Sequence, residues 1–234
     1  MHGVPAPANV RSIESDLDHF LDAAVAATEI FRVAVAAYLS GGQKGHAWQL
    51  ARQIDEQLRT VDDLQQRFET GMRRQHVVGG TFPELLEPLA GVTRLLRDMR
   101  RQISGFAVES GFSGAASEVS VHLVADLQQL TEEVCSAVDE LIEDCRPCVL
   151  LWNPPASADA ALGVGWYESR ADRLSTRLIK QILQDDALGF EAQLRVARLV
   201  EEIDRLADYA ENVCVEVRVG RMIRPTVLAS ADSR

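Results

Sequence analysis

The sequence predicts an all-α protein, an antiparallel bundle of six long helices. Three observations predict it. Apolar residues recur at intervals of three and four through six long segments. Gly and Pro clusters, with no long polar stretches, separate those segments. Aromatics are only 6% of the chain, while Leu, Ala, Val, Glu and Arg are plentiful, a mixture that suits helices better than strands.

The first segment runs from about Ser12 to Leu39 and stops at Gly41-Gly42. The second runs from about Gly45 to Gln75 and stops at Gly79-Gly80. The third starts near Thr81, a capping residue with Pro83 in the first turn and Glu84 at the capping-box position, and ends near Gly111. The fourth begins between Ser113 and Ser117 and reaches about Val149; Pro147 and then Pro154-Pro155 forbid continuation. The fifth runs from about Ala158 to Asp186, and the sixth from Gly189 to about Arg221, with Pro225 marking the tail. Short connections favour antiparallel neighbours. Six helices of similar length suggest two sets of three: residues 12–112 and 113–222, with 1–11 and 223–234 as disordered tails.

The formal net charge is −11. Binding nucleic acid requires a basic patch to neutralise phosphates, and no long Lys/Arg run exists; no nucleic-acid partner is expected. The charge favours cations or basic protein surfaces instead. Met1 to Ser12 lacks the basic stretch and apolar core of a signal peptide. No apolar run approaches the roughly 20 residues of a spanning helix; the nearest, Ala23 to Leu39, is broken by Glu29 and Arg32. The expectation is a cytoplasmic protein, peripheral to the inner face of the membrane where it docks on a membrane protein. The cysteines Cys135, Cys145, Cys148 and Cys214 do not form a disulfide framework in a chain of this length.

The chemistry concentrates in the last hairpin. Glu168-Ser-Arg-Ala-Asp172 and Asp204-Arg-Leu-Ala-Asp208 each place two acids four residues apart, on one helix face, with Ala171 or Ala207 immediately before the second. The apolar stripe beside the first pair is Tyr167, Ala171, Leu174, Leu178 and Ile182; beside the second it is Val200, Ile203, Ala207 and Ala210. Each pair lies roughly 100° around from its stripe, so the acids border the core. Their heights match as well. Glu168 with Asp208, and Asp172 with Asp204, are both centred on Leu188, in the expected turn Ala187-Leu188-Gly189. Four carboxylates then share one level, on the order of 25–30 Å from the turn.

Carboxylates at close quarters need a cation, bound protons or basic partners. Hard cations such as iron, magnesium, calcium or manganese prefer oxygen ligands, and Glu211 and Glu202 flank the site as additional ligands. The competing reading is a solvated acidic face paired with Arg170, Arg173, Arg177 and Arg205.

Glu-x-x-Ala-Asp followed by "EEIDRLADYAENV" resembles the PhoU family, and more closely its DUF47 branch of phosphate-transport accessory proteins. The matching positions are Glu168, Asp172, Asp204, Asp208 and Ala210-Glu211. The opening "FLDAAVAATEIFRVAVAAYL" is similar to the family's first helix. The resemblance implies two three-helix repeats, a metal ion or cluster (iron in some members) on the acidic motifs, and a non-enzymatic role in regulating phosphate transport. It implies a Pit-type membrane phosphate transporter, or its regulatory partner, as the docking target. A homodimer is a further expectation, since bundle faces commonly associate.

The first half departs from the pattern. In "QLRTVDDLQQRFE", Asp62 and Asp63 remain while Leu58 and Arg59 occupy the preceding acid's place. In "LLEPLAGVTRLLRDM", Ala90 and Arg94 replace acids and only Asp98 survives. One metal site is therefore expected, formed by Glu168, Asp172, Asp204, Asp208 and Glu211. A metal-free helical adaptor is the alternative, and a carboxylate-dependent metalloenzyme ranks below it. The chain lacks a P-loop and a nucleophile elbow, Gly163-Val164-Gly165 carrying little weight. None of its five histidines follows a Glu by three residues, as di-iron oxidase bundles require. Cys145-Arg-Pro-Cys148 resembles a redox dithiol, but it falls at an expected helix C-terminus, where the dipole disfavours thiolate. Val149 to Trp152 reads as core closure or a docking patch.

Overall fold

Apolar residues spaced by three and four produce helices that must bury one face, and six such helices pack together in the computed structural model. It describes residues 8–40, 44–75, 83–112, 119–149 and 163–231, with side chains for 15–40, 46–70, 86–109, 119–146 and 163–217. The elements are α1 (Ala8–Leu39), α2 (Lys44–Gln75), α3 (Pro83–Phe112), α4 (Val121–Val149), α5 (Val164–Leu183) and α6 (Phe190–Ala231). Among the described residues there is no strand, and the expected all-α six-helix bundle is what forms.

The first three helices pack on one another, and so do the last three; α1 against α4 and α3 against α6 join the triads. A continuous core runs through both. Phe20, Leu21 and Phe31 of α1, Ile54 of α2, Leu95 and Met99 of α3 and Leu123 and Leu127 of α4 are almost wholly buried. Each such side chain contributes about 1.5–3 kcal/mol relative to exposure.

The α1–α4 seam is flanked by arginines. Arg32 of α1 donates to Glu132 at 3.0 Å and Asp139 at 3.1 Å on α4, and also holds Glu29 of its own helix. Arg146 of α4 reaches back to Asp18 and Asp22 of α1, both at 2.9 Å. The order of these pairs makes α1 and α4 antiparallel.

The α3–α6 seam makes a close approach at one point and a polar contact at another. Gln102 of α3 donates its Nε2 to the Glu202 carbonyl of α6 at 2.8 Å. About three turns away along both helices, a Cβ on Gly91 would stand 2.5 Å from Cγ2 of Val213. A side chain at position 91 therefore has no room while α6 lies this near.

Several boundaries differ from the sequence reading. The fifth helix ends at Leu183, short of Asp186, because Asp185 turns the chain. Its Oδ1 accepts from the Ala187 amide at 3.0 Å and its carbonyl from the Leu188 amide at 3.0 Å, a turn that competes with helix. The sixth helix starts at Phe190, with Gly189 accepting from the Gln193 amide. It runs to Ala231, past the expected end near Arg221 and through Pro225 into the expected tail 223–234; a proline removes one donor, and this long helix continues. The first helix begins at Ala8, inside the expected tail. Pro88 sits within α3 without ending it, and the fourth helix begins at Val121, later than Ser117. The fifth helix begins at Val164, later than the expected Ala158, because Gly163 before it takes a positive φ of 76° that a helix cannot continue through. The Gly41-Gly42 and Gly79-Gly80 stops, the Thr81 cap, Leu150 to Trp152 and Pro154-Pro155 lie outside the described residues. No helix among the described residues is long and apolar enough to cross a membrane.

Cys135 is wholly buried and Cys214 nearly so, as core residues. Burial pushes the Cys135 thiol far up, and Cys214 donates to Asp144 at 3.4 Å. Cys145 is buried in the last turns of α4; the side chain of Cys148 lies outside the described set.

Gly91→Ala overpacks the α3–α6 seam at a cost of about 1–3 kcal/mol, partly offset by roughly 1 kcal/mol of helix propensity. The expected result in chemical denaturation is a net loss of up to about 2 kcal/mol. In a Val213→Ala background, where the clashing methyls are gone, the same substitution becomes neutral or stabilising. Equal effects in both backgrounds would contradict the close approach.

Candidate functional site

The stripe that buries α5 is Ala171, Leu174, Ser175, Leu178 and Ile182, and on α6 Val200, Ile203, Ala207 and Ala210 are buried. These stripes are the expected ones, except that the expected Tyr167 is only partly buried against the core. Ala171 and Ala207 lie in the core with no exposure. Beside them the acids emerge at the edge: Glu168 and Asp204 are half-buried, Asp172, Asp208 and Glu211 exposed.

The five carboxylates share a common field. Glu168 is raised by burial, against a hydrogen bond from Ser169, and further by the charges of Glu211, Asp208 and Asp172. Asp208 is raised by burial and by Asp172, opposed by Arg205. Asp204 is pushed up to about 6, by burial first and then, against a hydrogen bond from Ser175, by Asp208, Asp172 and Glu168. The Ser175 hydroxyl donates to Asp204 Oδ2 at 2.7 Å, a fixed contact across the α5–α6 pair. Ser175 was not singled out in the sequence; the only available signal was a hydroxyl interrupting the apolar stripe of α5. At the other end of the cluster, Glu211 Oε1 stands 3.0 Å from the position of a Cβ on Gly165, so the missing side chain there leaves the carboxylate room against α5.

The expected arginine partners are engaged elsewhere or stand off. Arg170 binds Glu133 of α4 at 2.5 Å and lies 4.6 Å over the Trp166 ring. Arg177 pairs with Asp126 at 3.5 Å. Arg205 opposes the upward shift of Asp208 but lines a groove on the far side of α6. Among the described residues no basic nitrogen lies within ion-pair distance of Glu168, Asp172, Asp204, Asp208 or Glu211. Glu202 does not join them; it pairs with Arg198 at 3.0 Å and faces α3. Nor, among the described residues, do any three Asp, Glu, His or Cys groups converge closely enough to hold a metal ion. The hairpin thus gathers the acids into one electrostatic cluster without closing a ligand shell.

The corresponding region of the first triad is neutralised. Asp62 pairs with Arg97 at 2.7 Å, Arg94 with Glu87 at 3.0 Å, and Asp98 with Arg101 at 3.3 Å. Leu58 is buried and Arg59 and Asp63 are exposed.

Fold and site together define an antiparallel six-helix bundle with an uncompensated carboxylate cluster on its last hairpin. Two solved structures share that bundle. One is a PhoU-like phosphate regulatory protein from Shewanella oneidensis MR-1, 17% identical over 94% of this chain and 99% of that one, with a TM-score of 0.66. The other is PhoU from Pseudomonas aeruginosa, 17% identical over 92% and 98%, with a TM-score of 0.62. No protein-family model and no curated protein sequence matches. At this identity the likeness is one of fold.

The raised Asp204 carboxyl fixes a pH dependence. Its folded form holds a proton more tightly than the unfolded chain, so its favourable contribution is complete below about 4 and disappears as pH rises through about 6. Asp204→Asn keeps an acceptor for Ser175 and removes the charge. Discounted for solvent screening, the gain is roughly 1 kcal/mol at pH 8, a rise in Tm of about 2–4 °C, shrinking to nothing near pH 4. Melts in the presence of a chelator read this directly; a gain independent of pH would contradict the shift.

Proposed function

We propose that this protein is a PhoU-like regulator of phosphate transport, not an enzyme, in which residues 12–112 and 113–222 are two repeats of one three-helix unit. The carboxylates of the second unit bind a metal ion, and the bundle docks in the cytoplasm onto a membrane transporter or its regulatory partner. The observation that carries the reading is the set of five carboxylates with no ion-pair partner among the described residues. Uncompensated charge of this density favours any cation that can approach. The donors are all oxygen, which suits iron, magnesium, manganese or calcium. Glu168, Asp172, Asp204, Asp208 and Glu211 would hold the ion, and its charge would supply the compensation that the arginines do not. The likeness in fold to the two phosphate-regulatory proteins supports the regulatory part. The sequence motif points to the DUF47 branch, and hence to a Pit-type transporter as partner and to a homodimer as the working form.

A metal-free adaptor is the second reading. It is favoured by the open arrangement of the cluster, in which no three ligating groups converge, and by the ion pairs that neutralise the first unit.

Elemental analysis of untagged protein purified without chelator separates the two. One or more divalent or iron ions per chain is expected, falling below about a tenth of that in the Glu168/Asp172/Asp204/Asp208 alanine variant. Equal metal content in the two proteins, or none in either, would remove the cation and leave the adaptor. Co-purification with a Pit-type transporter tests the partner separately.

A further inference from the structure

Ser175 is the one member of the buried stripe of α5 whose side chain can donate a strong hydrogen bond. It is 3% exposed, and its Oγ lies 2.7 Å from Asp204 Oδ2 and 3.0 Å from the Asp172 carbonyl. A hydroxyl carries a single proton. The charged acceptor on the shorter contact takes it, so Asp204 enters the carboxylate cluster with one oxygen already bound. Its other oxygen, Oδ1, is engaged by no hydrogen bond among the described residues. The buried side-chain polar atom left without a partner among those residues is Gln102 Oε1 and not Asp204 Oδ1. Oδ1 is therefore open to solvent.

The other carboxylates of the cluster are held more loosely. Glu168 meets the exposed Ser169 hydroxyl at 3.2 Å. Asp172, Asp208 and Glu211 accept from no side chain among the described residues. Asp204 alone is fixed by a buried donor, and the contact crosses from α5 to α6.

Divalent cations differ in what they ask of a carboxylate. Calcium collects roughly six to eight oxygens and often takes both from one carboxylate; magnesium is smaller, demands near-octahedral geometry and keeps several waters. Manganese also favours octahedral oxygen. A carboxylate whose second oxygen is tied to a buried hydroxyl suits an ion that takes one oxygen from each acid, and it penalises an ion that needs both. Hydrogen bonds that orient metal ligands typically change affinity by about 10–100-fold.

We propose that Ser175 is a positioning residue that sets the cation preference of the carboxylate cluster: by holding Asp204 Oδ2 it leaves Oδ1 alone to meet the ion, which favours a small octahedral divalent cation over calcium. The inference rests on the cation reading above and adds to it the kind of ion taken and the side chain that decides it.

Isothermal titration calorimetry of the metal-stripped full chain with MnCl2 and with CaCl2, in oxygen-free buffer at pH 8, tests it. At that pH Asp204, whose carboxyl lies at about 6, is ionised and protons do not compete. The wild type is expected to bind manganese more tightly than calcium. Ser175→Ala, which keeps or gains helix propensity, is expected to weaken manganese at least about tenfold and to leave calcium unchanged or tighter. Ser175→Cys keeps the volume but offers a much weaker donor, and its preference is expected to shift the same way. A merely structural role for Ser175 would weaken both ions alike. Tighter calcium than manganese in the wild type, or an equal loss of both ions in the two variants, would overturn the inference and leave the cation reading in place. No heat from either ion in the wild type would remove the cation reading and this inference with it.

Discussion

The antiparallel contact of α3 with α6 is the constraint on which the rest depends. Gly91 opposite Val213 and Gln102 opposite the Glu202 carbonyl stand at the same step along each helix, so both contacts report one register. That register fixes the rotation of α6, and with it which residues meet α5 and which meet α3. The arginine clamps of the α1–α4 seam lie partly in solvent, and exposed ion pairs of that kind are worth little singly. Removing a Cβ from the α3–α6 seam does more, since it sets how near two hydrophobic stripes can lie.

Once α6 is fixed in rotation, its charges sort by spacing. Residues 198, 202 and 205 fall on the α3 side; 204, 208 and 211 fall toward α5. The α5 side thereby carries acids alone, while the α3 side mixes Arg198 and Arg205 with Glu202, which Arg198 pairs at 3.0 Å. The arginines adjacent in sequence to the acids are drawn away by α4: Arg170 to Glu133 and Arg177 to Asp126. The carboxylates are left uncompensated because their neighbours have better partners elsewhere.

Much of this was legible in the chain. Six apolar periodicities gave six helices, and Ala171 and Ala207 marked where α5 and α6 come together. Asp204 and Glu168 border the core as their angle from the apolar stripes requires. What could not be read were contacts between helices distant in sequence. Nothing near Arg170 announces Glu133, and nothing near Glu202 announces Gln102, a hundred residues earlier. Glu202 was therefore placed with the acids although it faces α3. Local chemistry explains the misplaced ends: Asp185 closes an Asx turn that outcompetes the last turn of α5, and Pro225 costs α6 one hydrogen bond without ending it.

The two charged faces are not electrically independent. Arg205 lines the groove, yet it also holds down the upward shift of Asp208 on the other face. Its guanidinium is thus a shared charge, felt on both sides of α6. A cation among the carboxylates of the proposed site would relieve a demand that Arg205 meets only in part. The shared charge follows from placing opposite charges on adjacent stripes of one helix, whose approach to α3 is set by Gly91.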